Sequence, residues 1–443
     1  MPVAEEVAEE NAAASEFFLP EFIQQFLPER HSLENLLDWR FFTRERRLNL
    51  ETTLALVLNM VRPGERLGYQ KVIDRFFSDT GLAFPGQEII KPPDKAAFQR
   101  ARKKIPVEVL QLLFAAATDR AQALARQHSK LTWKGFRVLA IDGTKKNLPA
   151  SQELRDYFDA PYLAHFPQML TGVLFDVLAK IPLNYGRAPF YASERDLARE
   201  LIKELGPGDL ALVDRGFPGY LMFHDFIQQG VDFLARLPKD GLFKEAQDFL
   251  DQGKRDGKIT VHAPKKLRRD HPDTDFPPLT LRLVAVSLPG TKEVAVFITT
   301  LLDSKKYPRR DLRNLYHYRW NEEEFFKTIK EHLRAEEFRG QSVQFIDQEL
   351  LSTYLYYTLT RILMLESARQ HDIPVENLET KAALVAVARY LDHLLLAESL
   401  EECQELLKRC LAEISWRKYY PRPGRKFPRK SKSRHGKWAN KWR

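Results

Sequence analysis

The spacing of apolar residues changes along the chain, and each spacing predicts a different kind of structure. From residue 32 to about 130, apolar positions recur every three or four residues, as in LETTLALVLNMV, which indicates amphipathic helices. From Phe136 onward, short runs of consecutive apolar residues indicate buried strands. Past Pro308 the helical spacing returns and continues to about residue 412. The pattern therefore predicts an α/β centre between helical N- and C-terminal regions.

The central region alternates predicted strands with predicted helices. Its first strands are mainly apolar and are separated by the amphipathic segments SERDLARELIKEL and YLMFHDFIQQG, which indicates a mixed sheet flanked by helices. Between residues 239 and 306 the predicted strands show alternating apolar and polar residues and are separated by a proline-containing loop that is rich in Lys and Arg. We expect an all-β insertion here. The predicted strands are FRVLAIDGTKKNLP, QMLTGVLFDVLAKI and the segment after it, DLALVDRGF, VDFLARLP, KITVHAP, LTLRLVAVSL and KEVAVFITTLL.

Positive charge is concentrated at the C-terminal end. The 443-residue chain has a net charge of +9, and 12 of its 69 Lys and Arg residues lie between 416 and 443, where Asp and Glu are absent. The rest of the chain has 57 basic and 60 acidic residues, so its net charge is slightly negative. A basic tail with interleaved aromatic residues is suited to phosphates and bases, and Arg425 and Lys426 are its candidate DNA contacts. A disordered, solubilising terminus is the alternative interpretation.

A short predicted helix in the N-terminal region carries a second group of basic residues. It extends from Lys95 to Lys104, and Asp94 is its predicted N-cap. Arg100 and Lys103 are its candidate DNA contacts. A solvated basic helix face explains the same residues equally well. The basic residues of this helix are Lys95, Arg100, Arg102, Lys103 and Lys104.

Composition and motifs exclude several protein classes. With 44% hydrophobic and 29% charged residues, the chain has the composition of a soluble protein with a sizeable core. The sequence has neither an apolar run of about eighteen residues nor a basic, signal-like N-terminus, which predicts a cytoplasmic location. Cys403 and Cys410 lie seven residues apart in a helical segment, and we expect buried free thiols. The phosphate-binding pattern G-x-x-x-x-G-K-[ST] is absent, which argues against an ATP-driven enzyme.

Two aspartates follow apolar runs in the central region. Asp142 and Asp214 are each expected at the carboxyl end of a strand, where α/β sheets place functional groups. Each alone has a simpler explanation, since an aspartate at a strand end often caps a turn or a helix. Two carboxylates on neighbouring strand ends form a natural site for Mg²⁺, which prefers oxygen ligands. A third carboxylate from elsewhere would complete a two-metal centre.

The segment YHYRWNEEEFFKTIKEH, residues 316–332, supplies a candidate for that third carboxylate. On a continuous helix at about 100° per residue, Tyr316, Arg319, Glu323 and Lys330 share one face. Leu315, Phe326 and Leu333 lie beside that face and are expected to dock the helix on the sheet, whereas Glu322 and Glu324 point away. A carboxylate flanked by cations is suited to a phosphodiester substrate. A solvated helix with Glu–Lys and Glu–Arg pairs is the alternative.

These residues carry a resemblance to a known family. The spacing Tyr-x2-Arg-x3-Glu-x6-Lys, formed by Tyr316, Arg319, Glu323 and Lys330, resembles the signature of IS4-family insertion-sequence transposases, members of the DDE group with an RNase H-like fold. VLAIDGT and LALVDRGF, with FLARLP following, are similar to the family's segments around its first two catalytic aspartates. The β insertion and the tail segment YYPRPGRKFPR also resemble the family. The resemblance covers roughly residues 90 to 430.

The resemblance implies roles for individual residues. Asp142, Asp214 and Glu323 would be the catalytic residues and would bind two Mg²⁺ ions, with Mn²⁺ as a substitute. The implied reaction is in-line transfer of a DNA phosphoryl group, in which the ions activate a water or a 3′-hydroxyl and stabilise the leaving oxygen. The residues expected to contact DNA around the cut are Tyr316, Arg319, Trp320, Lys327, Lys330 and Arg215.

One departure from the family concerns the β insertion. In the best-understood relatives, excision passes through a DNA hairpin, and a flipped base stacks on a tryptophan of this insertion. Residues 239–306 contain no tryptophan. The candidate substitutes are Phe243, Phe249, Phe276 and Phe297.

The expected organisation follows from these assignments. We expect an acidic leader (1–31), a helical DNA-binding region (32–131), an RNase H-like core in two parts (132–238 and 307–345) around the insertion (239–306), a helical region suited to dimerisation (346–415), and the basic tail (416–443). The implied protein is a nucleoid-associated prokaryotic enzyme that acts as a homodimer on double-stranded DNA, namely two terminal inverted repeats and a target. An inactive relative that only binds DNA, and an RNase H-like nuclease without strand transfer, are the rival interpretations.

Overall fold

A computed structural model describes residues 41–42, 46–63, 67–81, 91–127, 131–161, 164–238, 244–287, 294–397 and 399–420. The predicted acidic leader lies outside these residues, as does most of the basic tail. In the described part of the N-terminal region the chain forms α1 (Leu50–Asn59), α2 (Tyr69–Asp79), α3 (Lys95–Arg102) and α4 (Val107–Arg126). α3 begins as predicted, because the side chain of Asp94 accepts a hydrogen bond from the backbone N–H of Ala97 at 2.6 Å.

The central region forms one mixed sheet. Its strands are β1 (Arg137–Asn147), β2 (Gln168–Asp176), β3 (Ile181–Pro189), β4 (Asp209–Val213), β5 (Asp232–Arg236), β6 (Asp256–Val261), β7 (Leu279–Ser287) and β8 (Val294–Thr299), and their order is β3-β2-β1-β4-β5-β8-β7-β6. β1, β2 and β3 pair antiparallel, whereas β4 and β5 continue from β1 in parallel. This order and direction of the first five strands is that of the RNase H-like fold, as expected.

Three helices connect the first five strands. α5 (Gln152–Phe158) follows β1, α6 (Glu194–Leu201) lies between β3 and β4, and α7 (Tyr220–Gln228) lies between β4 and β5. Parallel neighbours need such a crossover, because the chain must return to the same end of the sheet. The segments SERDLARELIKEL and YLMFHDFIQQG therefore form the helices that their spacing predicts.

The segment expected to be an all-β insertion extends the central sheet. β8 pairs antiparallel with β5, and β7 and β6 follow antiparallel beyond it. The segment also contains two short helices, α8 (Lys244–Asp251) and α9 (Lys265–Asp270), so strands alone do not build it. α8 forms because its apolar residues Ala246 and Phe249 lie at helical spacing and are buried together, which the expectation of an all-β segment overlooked.

Two hydrophobic cores lie on opposite faces of the sheet. The first face packs on the helices of the N- and C-terminal regions, and the second face packs on α6, α7 and α8. Side chains of neighbouring strand residues alternate between the faces, so Ala140 of β1 and Leu212 of β4 belong to the first core while Leu139 and Ala211 belong to the second.

The chain after Pro308 is helical, as predicted. It forms α10 (Arg309–His317), α11 (Trp320–His332), α12 (Val343–Gln370), α13 (Thr380–Leu396) and α14 (Leu400–Trp416). α12 is buried from Ile346 to Ala368, so it is a central helix of the protein and its sides pack against the chain itself. Cys403 and Cys410 of α14 are buried free thiols, as expected, and burial raises the pKa of Cys403 to about 11. None of the described helices combines the length and apolar character needed to cross a bilayer.

Candidate active site

The sheet brings Asp142 and Asp214 to one place. Asp214 directly follows β4, as predicted, but Asp142 lies inside β1, because β1 continues its pairing with β2 as far as Asn147. The parallel pairing of β1 with β4 ends at Ala140 and Leu212. Each aspartate lies two residues beyond this last pair, so continuing the register places the two carboxylates side by side on the first face. They therefore meet where the parallel ladder ends.

The segment expected to be one helix is two helices with a short junction. α10 ends at His317 and α11 begins at Trp320, while Tyr318 and Arg319 between them keep helical backbone angles. Tyr316 therefore lies on the last turn of α10, and Glu323 lies on the first turn of α11. Backbone hydrogen bonds at the junction join residues three apart, as from the N–H of Arg319 to the carbonyl of Tyr316, so the turn is tighter there than in an α-helix.

Arg319 connects two of the three predicted catalytic carboxylates. Its Nε lies 3.7 Å from Oδ1 of Asp214, and its Nη2 donates a hydrogen bond to Oε1 of Glu323 at 2.5 Å. Because one guanidinium contacts both groups, Asp214 and Glu323 lie within the span of a single arginine head. Burial lowers the pKa of Arg319, but Tyr316, Asp214 and Glu323 outweigh this effect and raise the pKa overall. Arg319 is therefore a permanent cation between the carboxylates.

Tyr316 holds the other side of Asp214. Its hydroxyl lies 3.3 Å from Oδ1 of Asp214 and 3.3 Å from the backbone oxygen of Val213, and its ring packs on Phe297 with a centroid distance of 4.8 Å. Burial and the charge of Asp214 raise the pKa of Tyr316, so the phenol stays protonated and can donate. The residue is only 7% exposed. In this position the hydroxyl faces Asp214, whereas the sequence-based expectation was a contact with DNA.

Asp142 has an unusual protonation equilibrium. Burial raises the pKa of Asp142 to about 6, and the charges of Glu194 and Asp214 act in the same direction. The backbone N–H of Gly143, which donates to Oδ1 of Asp142 at 2.9 Å, and Arg319 oppose this rise. A carboxylate that is shielded from water and close to other carboxylates favours a cation beside it.

The structure places one further carboxylate in the site, which the helical-wheel prediction directed away from it. Glu322 is 0% exposed, and neither of its carboxylate oxygens has a hydrogen-bond partner of good geometry among the described residues. Burial raises the pKa of Glu322 well above its ordinary value, and Asp142 is the neighbouring charge that adds most. The prediction was wrong because it misplaced Glu322 on the helical wheel. At about 100° per residue, Glu322 lies about 20° from Leu315 and Leu333, which were expected to dock the helix. The burial of Glu322 therefore agrees with the helical spacing itself.

The docking of α11 also differs from the prediction in one residue. Leu315 and Leu333 are buried, as expected, but Phe326 is only partly buried. Phe325 instead forms the main contact with the sheet, stacking on Phe175 of β2 with a centroid distance of 4.8 Å. Phe325 and Glu322 are three residues apart and therefore share one face of α11.

The remaining predicted DNA contacts near the site differ in their surroundings. Lys330 forms an ion pair with Glu336 at 2.6 Å, so it is engaged within the protein. Lys327 and Arg215 are exposed, and Trp320 is 41% exposed. Next to Lys330, burial lowers the pKa of Lys146 to about 8.

The basic helix α3 divides into exposed and buried cations. Arg100 and Lys103 are exposed, as a DNA contact requires. Arg102 is fully buried and donates hydrogen bonds to Gln348 at 2.6 Å and to Glu349 at 3.1 Å. Its inclusion in the basic surface is therefore corrected, because it ties α3 to α12. Arg425 and Lys426 lie outside the described residues.

The phenylalanines considered as stacking surfaces are not available for that purpose where the structure describes them. Phe249, Phe276 and Phe297 are each at most 6% exposed and belong to the hydrophobic cores. Phe243 lies outside the described residues. The expectation that Phe249, Phe276 or Phe297 stacks on a flipped base is therefore corrected, because these rings already fill the protein interior.

The donor groups fit a hard divalent cation in their chemistry. Asp142 and Asp214 supply carboxylate oxygens from adjacent strands, and an unpartnered Glu322 lies beside Asp142. Glu323 is held by Arg319 and would have to release it to join them. Among the described residues, no three acidic, His or Cys side chains are already arranged to hold a metal ion.

Comparisons with known proteins show the family to which the chain belongs. The family model described as a transposase DDE domain matches residues 133–359. The transposase InsG of insertion sequence element IS4, from Escherichia coli strain K12, is 24% identical over 333 residues, which cover 73% of this chain and 72% of that protein. InsZ of the same strain, which carries a provisional transposase name, is 28% identical over 129 residues, or 28% of this chain and 42% of that protein.

One solved structure gives a weaker likeness. The cryo-EM structure of a piggyBac transposase synaptic complex with hairpin DNA is 11% identical, with a TM-score of 0.42, and the match covers 95% of this chain and 87% of that one. A sequence identity and a TM-score this low support no statement about function.

Proposed function

Because this chain belongs to the DDE transposases, and among them to the IS4 family, we propose that it cuts DNA at the ends of its own insertion sequence and joins the 3′-hydroxyl strands to target DNA. The observation that supports this most is the placement of Asp142 and Asp214 at the end of the parallel ladder, with Glu323 linked to Asp214 through Arg319. Three acidic side chains that are distant in sequence share one surface with cations suited to phosphate.

Divalent metal ions are used throughout this family, and we propose Mg²⁺, which Mn²⁺ can replace, held by Asp142, Asp214 and Glu323. The chemistry supplied by the bound ions is activation of the attacking hydroxyl and stabilisation of the leaving 3′-oxygen. The protein itself holds and orients these carboxylates. Tyr316 fixes Asp214 by a hydrogen bond, and Arg319 supplies positive charge where the anionic backbone of DNA would lie.

The proposed DNA contacts are basic and aromatic residues, most of them on the exposed surface. Lys327, Arg215 and Trp320 lie on the exposed surface near the carboxylates, and Arg100 and Lys103 lie on the exposed side of α3. Positive side chains that contact phosphates orient a duplex without reading its sequence. We further propose that Arg425 and Lys426 of the tail add to these contacts, and that two copies of the chain act on two paired ends.

The experiment that tests the function uses a short duplex of the element's terminal repeat with Mg²⁺ or Mn²⁺. Asp142→Asn, Asp214→Asn and Glu323→Gln should each reduce strand cleavage by about a thousandfold or more, because each removes a charge that the reaction needs. Binding of the duplex, measured by fluorescence anisotropy, should change little. Glu331→Gln is the matched control, since Glu331 is an exposed glutamate on the same helix.

The outcomes separate the rival interpretations. Cleavage by the unaltered protein followed by joining of the 3′ ends to a second duplex supports a transposase, whereas cleavage without joining supports a nuclease. Binding without cleavage under all metal conditions supports an inactive relative. A carboxylate variant that cuts at the rate of the Glu331→Gln control removes that residue from the site.

A further inference from the structure

Glu322 has no structural reason to be a glutamate. It lies on the buried face of α11 together with Phe325 and Ile329, the residues three and seven positions later. That face packs on the sheet, where Phe325 stacks on Phe175. An apolar side chain fits such a stripe better, because a buried carboxyl group loses its hydration, and the backbone N–H of Asp142 and the charge of Arg319 offset this loss only in part.

The position of this face explains what Glu322 is close to. Phe175 of β2 pairs with Ala140 of β1, which lies two residues before Asp142 on the same face of the sheet. Glu322 lies one turn before Phe325 on α11, and among the charged groups around Glu322, Asp142 has the largest effect. The buried carboxyl group is therefore directed at Asp142.

The charges of the site are distributed unevenly between its carboxylates. Arg319 contacts Asp214 and Glu323, and it is the cation that balances them. Asp142 and Glu322 have no ion pair with any residue that the structure describes. The charge of Arg319 acts on both groups without pairing with either, and the pKa of each stays raised. Two neighbouring carboxyl groups that form no ion pair are a place where a divalent ion would supply the missing charge.

We propose that Glu322 is a fourth acidic ligand of the active site, which binds a divalent metal ion together with Asp142. The inference rests on the proposed function and adds a residue to it. It accounts for the burial of Glu322 and for its two oxygens without a hydrogen-bond partner of good geometry. It also gives two adjacent glutamates different roles. Glu322 faces Asp142 in the interior, while Glu323 lies with Arg319 nearer the surface.

The test measures metal binding without DNA and without turnover. Glu322→Gln and Glu322→Leu are titrated with Mn²⁺, followed by electron paramagnetic resonance of the unbound ion, and are unfolded thermally with and without Mn²⁺. We expect both variants to bind Mn²⁺ at least about tenfold more weakly than the unaltered protein. We also expect Glu322→Leu to raise the melting temperature in the absence of metal, because it removes the unpartnered carboxyl group. Glu331→Gln should leave both quantities unchanged.

The alternative is that Glu322 is merely a tolerated, protonated core residue. In that case Glu322→Leu raises the melting temperature while Mn²⁺ affinity stays that of the unaltered protein, and this result overturns the proposal. If the leucine variant does not fold, the nearly isosteric Glu322→Gln decides in the same way. The variant Asp142→Asn separates the proposed function from the proposed role of Glu322. If Asp142→Asn loses cleavage while the Glu322 variants bind Mn²⁺ normally, the fourth ligand is rejected and the proposed transposase function is kept.

A second, independent observation concerns a cationic cavity far from this helix face. An open cavity of about 610 Å³ lies between the ends of β7 and β8 and the start of α10. Arg255, Arg309 and Arg310 line it and form no ion pair with any residue that the structure describes, and Arg313 adds a fourth guanidinium. Unpaired arginines around a concave surface are suited to phosphate oxygens.

The strand directions place this cavity on the catalytic edge of the sheet. The carboxyl ends of β4 and β5 lie together, and the antiparallel order beyond them brings the start of β8, the end of β7 and the start of β6 to the same edge. β7 is three strands from β4, or roughly 14 Å at the usual strand spacing of about 4.8 Å. At about 3.4 Å per nucleotide along a DNA strand, this corresponds to about four nucleotides.

We infer that this cavity binds backbone phosphates of the DNA about four nucleotides from the cut. The Arg309→Ala, Arg310→Ala double variant should lower the slope of log affinity against log salt by up to about two, and Arg409→Ala on α14 is the control. A neutral methylphosphonate placed three to five nucleotides from the cut should weaken binding by the unaltered protein and have no effect on the double variant. An unchanged salt slope, or equal sensitivity of both proteins to methylphosphonate, overturns the inference.

Discussion

At the scale of single residues, the site is organised around Arg319 and Tyr316. Both are largely buried, and both contact Asp214. The signature residues therefore hold the proposed catalytic groups in place, and under the proposed function Arg319 also offers charge to the substrate. This arrangement explains why a tyrosine and an arginine lie at fixed distances before Glu323, since α10 carries one to Asp214 and the helix junction carries the other between two carboxylates.

Tyr316→Phe tests this positioning role. The variant keeps the ring that packs on Phe297 but loses the hydroxyl that holds Asp214. We expect cleavage to slow by between about tenfold and a hundredfold, because Asp214 loses its orientation, while DNA affinity changes little. Tyr356→Phe, which removes a buried hydroxyl bonded to the backbone oxygen of Leu384, is the matched control. Weaker DNA binding with unchanged cleavage at saturating DNA would instead support a direct contact with the backbone.

A second residue-scale prediction concerns pH and stability. Asp176, at the end of β2, accepts hydrogen bonds from the backbone N–H groups of Leu178 and Ala179 at 3.0 and 2.8 Å, and burial raises its pKa to about 6. Because the folded pKa lies above the ordinary value of 3.8, the proton is bound more tightly in the folded state. The stabilisation of the fold by this bound proton is fully present below about pH 4 and is lost as the pH rises through about 6.

Asp176→Asn should remove this pH dependence. Asparagine keeps an acceptor oxygen for the two N–H groups but does not titrate. We expect the free energy of unfolding of the variant, relative to that of the unaltered protein, to rise by about 2 kcal/mol from pH 4 to pH 7, measured by urea unfolding. Asp142 titrates in the same window in both proteins, so it cancels in the difference. A difference that stays constant across this range would show that Asp176 is ionised in the fold at pH 4.

At the scale of elements, the docking face of α11 decides what the glutamate run does. Phe325 and Ile329 are buried, and Glu322 lies on the same face, while Phe326 lies at the side. On a wheel at about 100° per residue, this position of Glu322 is about 20° from the docking residues Leu315 and Leu333. The docking of α11 therefore directs Glu322 inward and leaves Glu323 beside Arg319.

A pair of adjacent substitutions tests this docking. Phe325→Ala should lower the free energy of unfolding by about 3 to 5 kcal/mol, because it removes a buried ring from the contact with Phe175. Phe326→Ala should cost less than half as much, since Phe326 is only partly buried. Chemical denaturation of the two variants side by side provides the measurement. Equal losses, or a larger loss for Phe326→Ala, would support docking through Phe326, as the sequence-based prediction has it.

At the scale of the whole molecule, charge and topology have separate roles. The sheet edge collects the carboxylates, while the excess positive charge lies in the C-terminal tail. The first tail residues are attached to the protein, because the backbone around Lys418 pairs with that around Leu378 before α13. A deletion meant to remove only the basic surface should therefore begin at residue 421.

Removal of residues 421–443 should weaken binding to DNA of any sequence and flatten its salt dependence. Each lost phosphate contact lowers the slope of log affinity against log salt by about 0.9. Fluorescence anisotropy between 50 and 200 mM salt, roughly the range over which such contacts matter, measures it. Replacement of the same segment by a Gly/Ser linker of equal length controls for chain length. A truncated protein with the unaltered slope would show that the tail does not contact phosphates.

The order of the elements could be predicted well from the sequence, because a helix or a strand imposes its own period on nearby residues. The strands around Asp142 and Asp214, the N-cap of α3 and the buried cysteines all follow from such local patterns. The two helices α8 and α9 were missed, because short helices between strands have little room to show their period. The burial of Arg102 was missed as well, since its partners lie on α12, far away in sequence.

The sequence by itself determined which residues are able to perform the chemistry: two aspartates after apolar runs, a glutamate between two cations, and the spacing that relates them to a family. The tertiary structure alone decided how they meet. The register between β1 and β4 aligns the aspartates, and the docking of α11 on the sheet directs Glu322 inward and leaves Glu323 beside Arg319. The physical reason is that a local pattern specifies the face on which a side chain lies, whereas contacts between distant segments depend on strand register and helix phase. These are set by the packing of the whole chain.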